Sequence, residues 1–382
     1  MRHVYLDNAA TTPLRETVVE RMHEALRECF GNPSSTHAFG RTARSGIEKA
    51  RKTIARELNA YPGEIIFTSG GTEANNMLLR AAVRDLGVQT LVTSRIEHHA
   101  VLHTAEALKA EYGIQLAYVP LDAEGNPDLK ALEVILTEDG SKKLVSLMHV
   151  NNEIGNLLDL EAVGTLCRTH GALFHSDSVQ SIGHFPWDLA QVPVDFLTAA
   201  AHKFHGPKGI GFAYIRKNPG IHPLILGGSQ ERGLRAGTEA YHNIIGLENA
   251  FEAAYAHLEE ERAYITGLKA YFIEGLQKAV PGVAFNGCSA DLERSTYTLV
   301  SARLPLDASK SQMLEFHLDL KGIACSRGSA CQSGSGGSSH VLSEILDSAA
   351  LQQPSVRFSF SRMNTREELD YVIGVLGEFA SS

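Results

Sequence analysis

The chain has 382 residues, of which 43% are hydrophobic and 21% charged, and it carries a formal net charge of −9. That length suits one large domain and a smaller one, with a composition ordinary for a globular protein. The negative balance argues against sequence-independent binding of nucleic acid, and no apolar run approaches the roughly 20 residues that a membrane span needs.

Residues 1–7 enter folded-looking sequence at once, so no signal peptide or Arg-rich presequence is expected. The five cysteines (Cys29, Cys167, Cys288, Cys325 and Cys331) are scattered, with no CxxC pair and no zinc spacing. A reducing, cytoplasmic setting and no metal site are expected.

From residue 60 to 217 short apolar runs alternate with helical patterns. Residues 64–69 read as a strand that ends in Gly70-Gly71-Thr72, with a helix beginning near Glu73. Further strands are expected at 90–93, 115–119, 144–150, 172–177, 195–201 and 211–215, and helices at 99–112 and 158–169. This alternation predicts an α/β layer with a mostly parallel sheet. Residues 243–280 read as one long amphipathic helix linking two domains. A strand at 297–303, a helix at 309–320 and a strand at 356–360 follow. The last helix opens with Thr365-Arg366-Glu367-Glu368, a capping-box pattern.

Candidate chemistry lies at the ends of these runs. Cys331 sits in Gly328-Ser329-Ala330-Cys331-Gln332-Ser333-Gly334, a Gly/Ser stretch with nothing apolar for a thiol to pack against. It suits a mobile active-site flap better than a structural cysteine. Lys203 closes an apolar strand, so it is paired, deprotonated or covalently used, or it is an edge lysine that snorkels. Asp177 ends another strand with Gln180 three residues on; it could hold a protonated ring nitrogen or simply cap a helix. Gly70-Gly71-Thr72 could cradle a phosphate or be a plain strand-to-helix turn. His98 could stack on an aromatic ring and move protons, or be a polar surface residue. Asn152 could be a turn former. Arg357, inside the apolar run Val356-Arg357-Phe358, could meet a substrate carboxylate or lie at a sheet edge.

At these residues the chain resembles the cysteine desulfurases, the NifS/IscS-like branch of the class V aminotransferase-fold enzymes that use pyridoxal 5'-phosphate (PLP). The resemblance covers essentially the whole chain. It runs from Tyr5-Leu6-Asp7-Asn8-Ala9-Ala10-Thr11-Thr12-Pro13 through Gly31-Asn32-Pro33-Ser34-Ser35-Thr36-His37 and Thr68-Ser69-Gly70-Gly71-Thr72-Glu73. It continues through residues 149–155, His202-Lys203 and residues 230–238 to Gly328-Ser329-Ala330-Cys331. The implied fold is α/β, a type I PLP-dependent aminotransferase-like fold. Its large mostly parallel-sheet domain would span residues 13–258. A smaller α+β domain would comprise 1–12 and 259–382 and carry the catalytic cysteine loop.

The resemblance implies Lys203 as the Schiff-base lysine and Cys331 as the sulfur acceptor. Asp177 would pair with the pyridine nitrogen, Gln180 with the ring hydroxyl, and His98 would stack on the ring. Gly71, Thr72 and His202 would hold the phosphate, Thr238 would reach the site of the partner subunit of a homodimer, and Asn152 and Arg357 would bind the substrate carboxylate. The implied reaction converts L-cysteine to L-alanine. Lys203 takes the Cα proton, the Cys331 thiolate attacks the substrate sulfur and keeps it as a persulfide, and His98 exchanges protons near the thiols. A sulfur-acceptor protein would follow, an iron–sulfur scaffold or a tRNA-thiolation protein. Competing readings are an aminotransferase or a selenocysteine/cysteine lyase on the same fold, and a catalytically silent relative that docks a scaffold.

The chain departs from the family pattern at three places. Ala200 replaces a phosphate-binding Ser, a lost donor worth on the order of 1 kcal/mol unless Thr198 or water substitutes. Gly336-Gly337-Ser338-Ser339 replaces a Leu-Glu-Pro-Ser-like run, and Ser361 replaces a Gly. Cys325 is an extra thiol, read as a small apolar strand residue rather than a redox partner of Cys331.

Overall fold

A computed structural model of the chain describes residues 2–327 and 339–381; residues 328–338, with Cys331 and the expected flap, lie outside the described residues. The chain opens with a two-residue strand, β1 (Val4–Tyr5), and two helices, Glu16–Glu28 and Ala38–Glu57. The sequence reading missed both helices. The second buries Ala43, Ile47, Ala50 and Ile54, the one-sided spacing of an amphipathic helix.

Seven strands then build the main sheet: β2 (Ile65–Thr68), β3 (Thr90–Thr93), β4 (Gln115–Tyr118), β5 (Lys143–Ser146), β6 (Leu173–Asp177), β7 (Phe196–Ala200) and β8 (Gly211–Ile215). Their order is β2-β8-β7-β6-β5-β3-β4. The pairs from β7 to β4 are parallel, and β8 alone runs antiparallel to both its neighbours, β2 and β7. Every residue of β2, β3, β5, β7 and β8 is buried, as expected of strands covered by helices on both faces. Because β2 and the parallel strands point the same way, their carboxyl ends share one edge of the sheet. The loops that leave it carry residues 69–72, 94–98, 147–152, 178–180 and 201–203, and clefts of such sheets open there.

Two expectations are corrected here. The strand expected at 144–150 stops at Ser146. Beyond it the Met148 N–H donates to the side chain of buried Glu97 (2.8 Å), and Val150 bridges Leu157. The single helix expected at 243–280 is two, Tyr241–Ala256 and Leu258–Ala279, which meet at His257. Glu259, Glu260 and Glu261 fill the first turn of the second helix, where negative charge complements the helix dipole. The two helices also feed different cores. Ile244, Leu247 and Phe251 pack with the main sheet, whereas Ile265, Leu268, Phe272 and Leu276 pack with the C-terminal elements.

Those elements are β9 (Ala284–Phe285), β10 (Leu299–Arg303), β11 (Ile323–Ala324) and β12 (Ser355–Ser359). β10 is the centre of an antiparallel β12-β10-β9 sheet, and β11 pairs in parallel with β1. Phe272 meets Phe358 and Phe360 at ring-centroid distances of 4.9 and 5.5 Å, and Val4 and Leu6 join the same core. The N-terminal strand therefore packs with the C-terminal third of the chain. The last helix, Arg366–Ser381, is opened by reciprocal bonds between Thr365 and Glu368 (3.1 and 3.3 Å), the capping box seen in the sequence. Among the described residues, no helix is long and apolar enough to cross a membrane.

Candidate active site

A cavity of about 240 Å³ opens at the carboxyl edge of the main sheet. Nine of the residues singled out in the sequence line it: Gly71, Thr72, His98, Asn152, Asp177, Gln180, His202, Lys203 and Arg357. Thr238 is exposed and does not line the cavity of the single chain, and Cys331 lies outside the described residues.

Asp177 is 6% exposed at the end of β6. Its Oδ2 accepts from Asn75 Nδ2 (2.7 Å) and its Oδ1 from the Val179 N–H (3.1 Å). Asn75 Oδ1 in turn accepts from the Thr198 hydroxyl (3.0 Å). The carboxyl group thus caps the turn after β6 and faces the cavity as well. Sequence reasoning missed Asn75. The signal was a polar residue sharing a helix face with Leu78, Leu79 and Ala82, all buried.

Lys203 follows β7 in a short 3₁₀ turn, Ala201–Lys203. Its Nζ donates to the carbonyl oxygens of Ala9 (2.5 Å) and Ala10 (3.0 Å), and Gln180 Nε2 donates to the Ala9 oxygen (2.9 Å). Its own carbonyl accepts from His184 Nε2 at 2.9 Å. The N-terminal residues 9 and 10 are therefore a wall of the site, which the sequence did not reveal.

His98 caps the helix His99–Tyr112, its Nδ1 accepting from the Ala100 N–H (3.1 Å). In a neutral imidazole that leaves the proton on Nε2. Burial holds its pKa below the usual histidine value, with Asp177 opposing the shift and Lys203 adding to it. The ring is thus neutral near neutral pH.

At the opposite end the helix Gly71–Arg84 begins at Gly70, which has φ of 150° and gives no side-chain cap. A Cβ at position 71 would lie 2.5 Å from Val179 Cγ2, so a larger residue would have to push that side chain aside. An uncapped 14-residue helix start, with Thr72 beside it, is a ready anion site. His202, whose pKa is pushed down to about 4 by burial and then by Lys203, offers a neutral ring and not a charge. Ala200 lines the cavity, and the Thr198 hydroxyl, committed to Asn75, does not stand in for the lost Ser.

Arg357 is 3% exposed although β12 is an edge strand. Its Nη1 donates to the Asn152 carbonyl (2.7 Å) and its Nη2 to Asp7 Oδ1 (2.9 Å). Asp7, like Asn75, is a side chain that sequence reading passed over. Cys325 is half-buried and lies just past β11; burial, then Asp7 and Glu315, push its thiol up to about 12.

The family model for aminotransferase class-V matches residues 4–372. A cysteine desulfurase IscS of Dictyoglomus turgidum is 43% identical over 377 residues, covering 98% of this chain and 94% of that protein. One from Methanosarcina thermophila is 41% identical, covering 98% and 91%. The solved structure of a NifS-like protein superposes with a TM-score of 0.89 at 36% identity, over the full length of both chains. The chain belongs to the cysteine desulfurases of the class-V aminotransferase family.

Enzymes of this family depend on PLP, and the cavity of this cysteine desulfurase fits that cofactor. The uncapped helix start with Thr72 and His202 suits a phosphate. Asp177, with neutral donors and no ion-pair partner among the described residues, suits a protonated ring nitrogen. The Lys203 amine lines the same space.

Proposed function

We propose that the chain converts L-cysteine to L-alanine and passes the sulfur to Cys331, with the residues in the roles their positions suggest. The supporting observation is the convergence of an amine, an ion-pair-free carboxyl group and a buried guanidinium on one cavity. PLP bound there would supply the electron sink for loss of a substrate Cα proton. Lys203 would hold the cofactor covalently and, once displaced, carry the Cα proton on Nζ. Asp177 would keep the ring nitrogen protonated, Gln180 would orient the ring hydroxyl, and His98 would stack on the ring and exchange protons through Nε2. Gly71, Thr72 and His202 would hold the phosphate, and Thr238 would complete that site in a second copy of the chain, which makes the working form a homodimer.

Arg357 and Asn152 would bind the substrate carboxylate. The Cys331 thiolate would attack the substrate sulfur; the Cβ–S bond breaks as the S–S bond forms, its electron pair stays with the substrate carbon skeleton, and that skeleton then takes up a proton and departs as alanine. The half-buried, poorly acidic Cys325 thiol is unsuited to that step. In this reading residues 13–258 form a PLP-binding domain, and 1–12 with 259–382 form a smaller one. The setting is the cytoplasm, and the persulfide goes to an acceptor protein serving iron–sulfur cluster assembly or tRNA thiolation. Purified protein given L-cysteine should form alanine and a persulfide on the Cys331 peptide. Borohydride should fix the cofactor to the Lys203 peptide. Cys331→Ser should bind the cofactor and release no sulfur. A colourless protein, an adduct on another lysine, or normal desulfuration by the Cys331→Ser variant would each overturn the assignment.

A further inference from the structure

We infer that Asp7 is a positioning residue for the carboxylate-binding guanidinium, fixing Arg357 and Ser326 through a single oxygen. The inference rests on the reading of Arg357 as the carboxylate site. A long side chain on an edge strand has room to swing, yet Arg357 is 3% exposed and held at both terminal nitrogens. Asp7 Oδ1 accepts from Arg357 Nη2 (2.9 Å) and from the Ser326 hydroxyl (2.7 Å). Ser326 and Arg357 are also bridged through their backbones, by N–H···O bonds of 3.2 and 2.7 Å. Asp7 itself cannot drift. The Leu6 N–H is bonded to Ala324 O (2.8 Å), the Ser359 N–H to Leu6 O (2.7 Å), and the Tyr5 hydroxyl donates to the Asp7 carbonyl (3.2 Å).

A guanidinium has five N–H donors. Asn152 and Asp7 use one on each terminal nitrogen, and Nε is buried with no partner among the described residues. Nε is too buried to be reached from the cavity, so the second N–H of each terminal nitrogen is what remains for a ligand carboxylate. Asp7 also neutralises Arg357 before any ligand arrives. The carboxylate is therefore recognised by a pre-aimed fork of donors more than by net charge.

Charge and geometry are separable at this position. Asp7→Asn keeps an oxygen able to accept from both Arg357 and Ser326 but removes the negative charge. Asp7→Ala removes both, and Asp7→Glu keeps the charge but displaces the oxygen by a methylene. The probe is L-alanine, titrated calorimetrically into the PLP-loaded protein, with thermal unfolding of each variant measured alongside. Asp7→Ala and Asp7→Glu should raise its Kd about tenfold or more, Asp7→Asn should leave it within about threefold or tighten it, and Ser326→Ala should leave it within about threefold. Arg357→Lys should weaken binding at least as much as Asp7→Ala.

If Arg357→Lys binds normally, the carboxylate site is elsewhere and both readings fall. If Arg357→Lys is weak while Asp7→Ala binds normally, only the role of Asp7 falls, and a lowered melting temperature without a change in Kd marks it as merely structural. Equal losses in Asp7→Asn and Asp7→Ala would make charge the determinant and overturn positioning. Should Asp7→Ala fail to fold, Asp7→Glu decides: normal binding by it overturns the inference.

Discussion

Two buried charged residues face the same cavity and are handled in opposite ways. Asp177, from the main sheet, is held by neutral donors, Asn75 Nδ2 and the Val179 N–H, and has no ion-pair partner among the described residues. Arg357, from the small sheet, carries its own counter-ion, Asp7, at 2.9 Å. A buried charge without an opposite charge is costly unless something supplies one. The Asp177 end is therefore suited to a ligand that brings a positive N–H, whereas the Arg357 end is already neutral and selects by direction. One end of the cavity uses charge and the other uses shape.

The sharpest test of that contrast is Asp177→Asn, which keeps size and removes the charge. It should lower kcat by about 10²–10⁴-fold, the usual scale for losing a group that tunes proton transfer, with the cofactor still detectable by absorbance. A loss similar to that of Asp7→Asn would break the contrast. Asn75→Ala comes next. It leaves Asp177 Oδ2 without its donor and Thr198 without its acceptor, a penalty of about 1–3 kcal/mol. Cofactor dissociation followed by absorbance should be faster by about tenfold, while L-alanine affinity in the loaded protein changes little.

Acid stability separates the two regions more weakly. Burial holds His149 and His175, both in the main-sheet half, down to about 4. Their folded values lie below the unfolded value of about 6.5, so the unfolded chain takes up protons first as pH falls. The stability they contribute is complete above about pH 6.5 and is lost progressively toward pH 4, at up to about 1.4 kcal/mol per pH unit for each group. Urea unfolding across that window should show the decline, and His149→Phe, placed against Phe185 and Trp187, should flatten it. A profile unchanged by that substitution would remove His149 from the account. The smallest effect expected is that of Cys325→Ser: its thiol, pushed up to about 12, is not a thiolate near neutral pH, so desulfuration should be unchanged and iodoacetamide at pH 8 should spare Cys325 in the parent.

Local signals in the chain sufficed for much of this. The strands at 90–93 and 211–215 and the helix at 99–112 fall where their apolar runs and turn residues place them. The capping box at Thr365 forms as written, because its bonds join residues three apart. Nine cavity-lining residues were legible: most lie at or just beyond the end of an element, where sequence punctuation is strongest, and Arg357 stood out as a lone charge inside an apolar strand. What sequence left open depended on partners far along the chain. The reversed direction of β8, the break at His257 between two cores, the Asn75–Asp177 bond across 102 residues and the Asp7–Arg357 pair across 350 are all of this kind. A periodic pattern tells which face of an element is buried but not what lies against it. Whether Arg357 was an exposed edge residue or a buried one was decided only when the N-terminal strand packed beside β12 and brought a carboxylate to its terminal nitrogen.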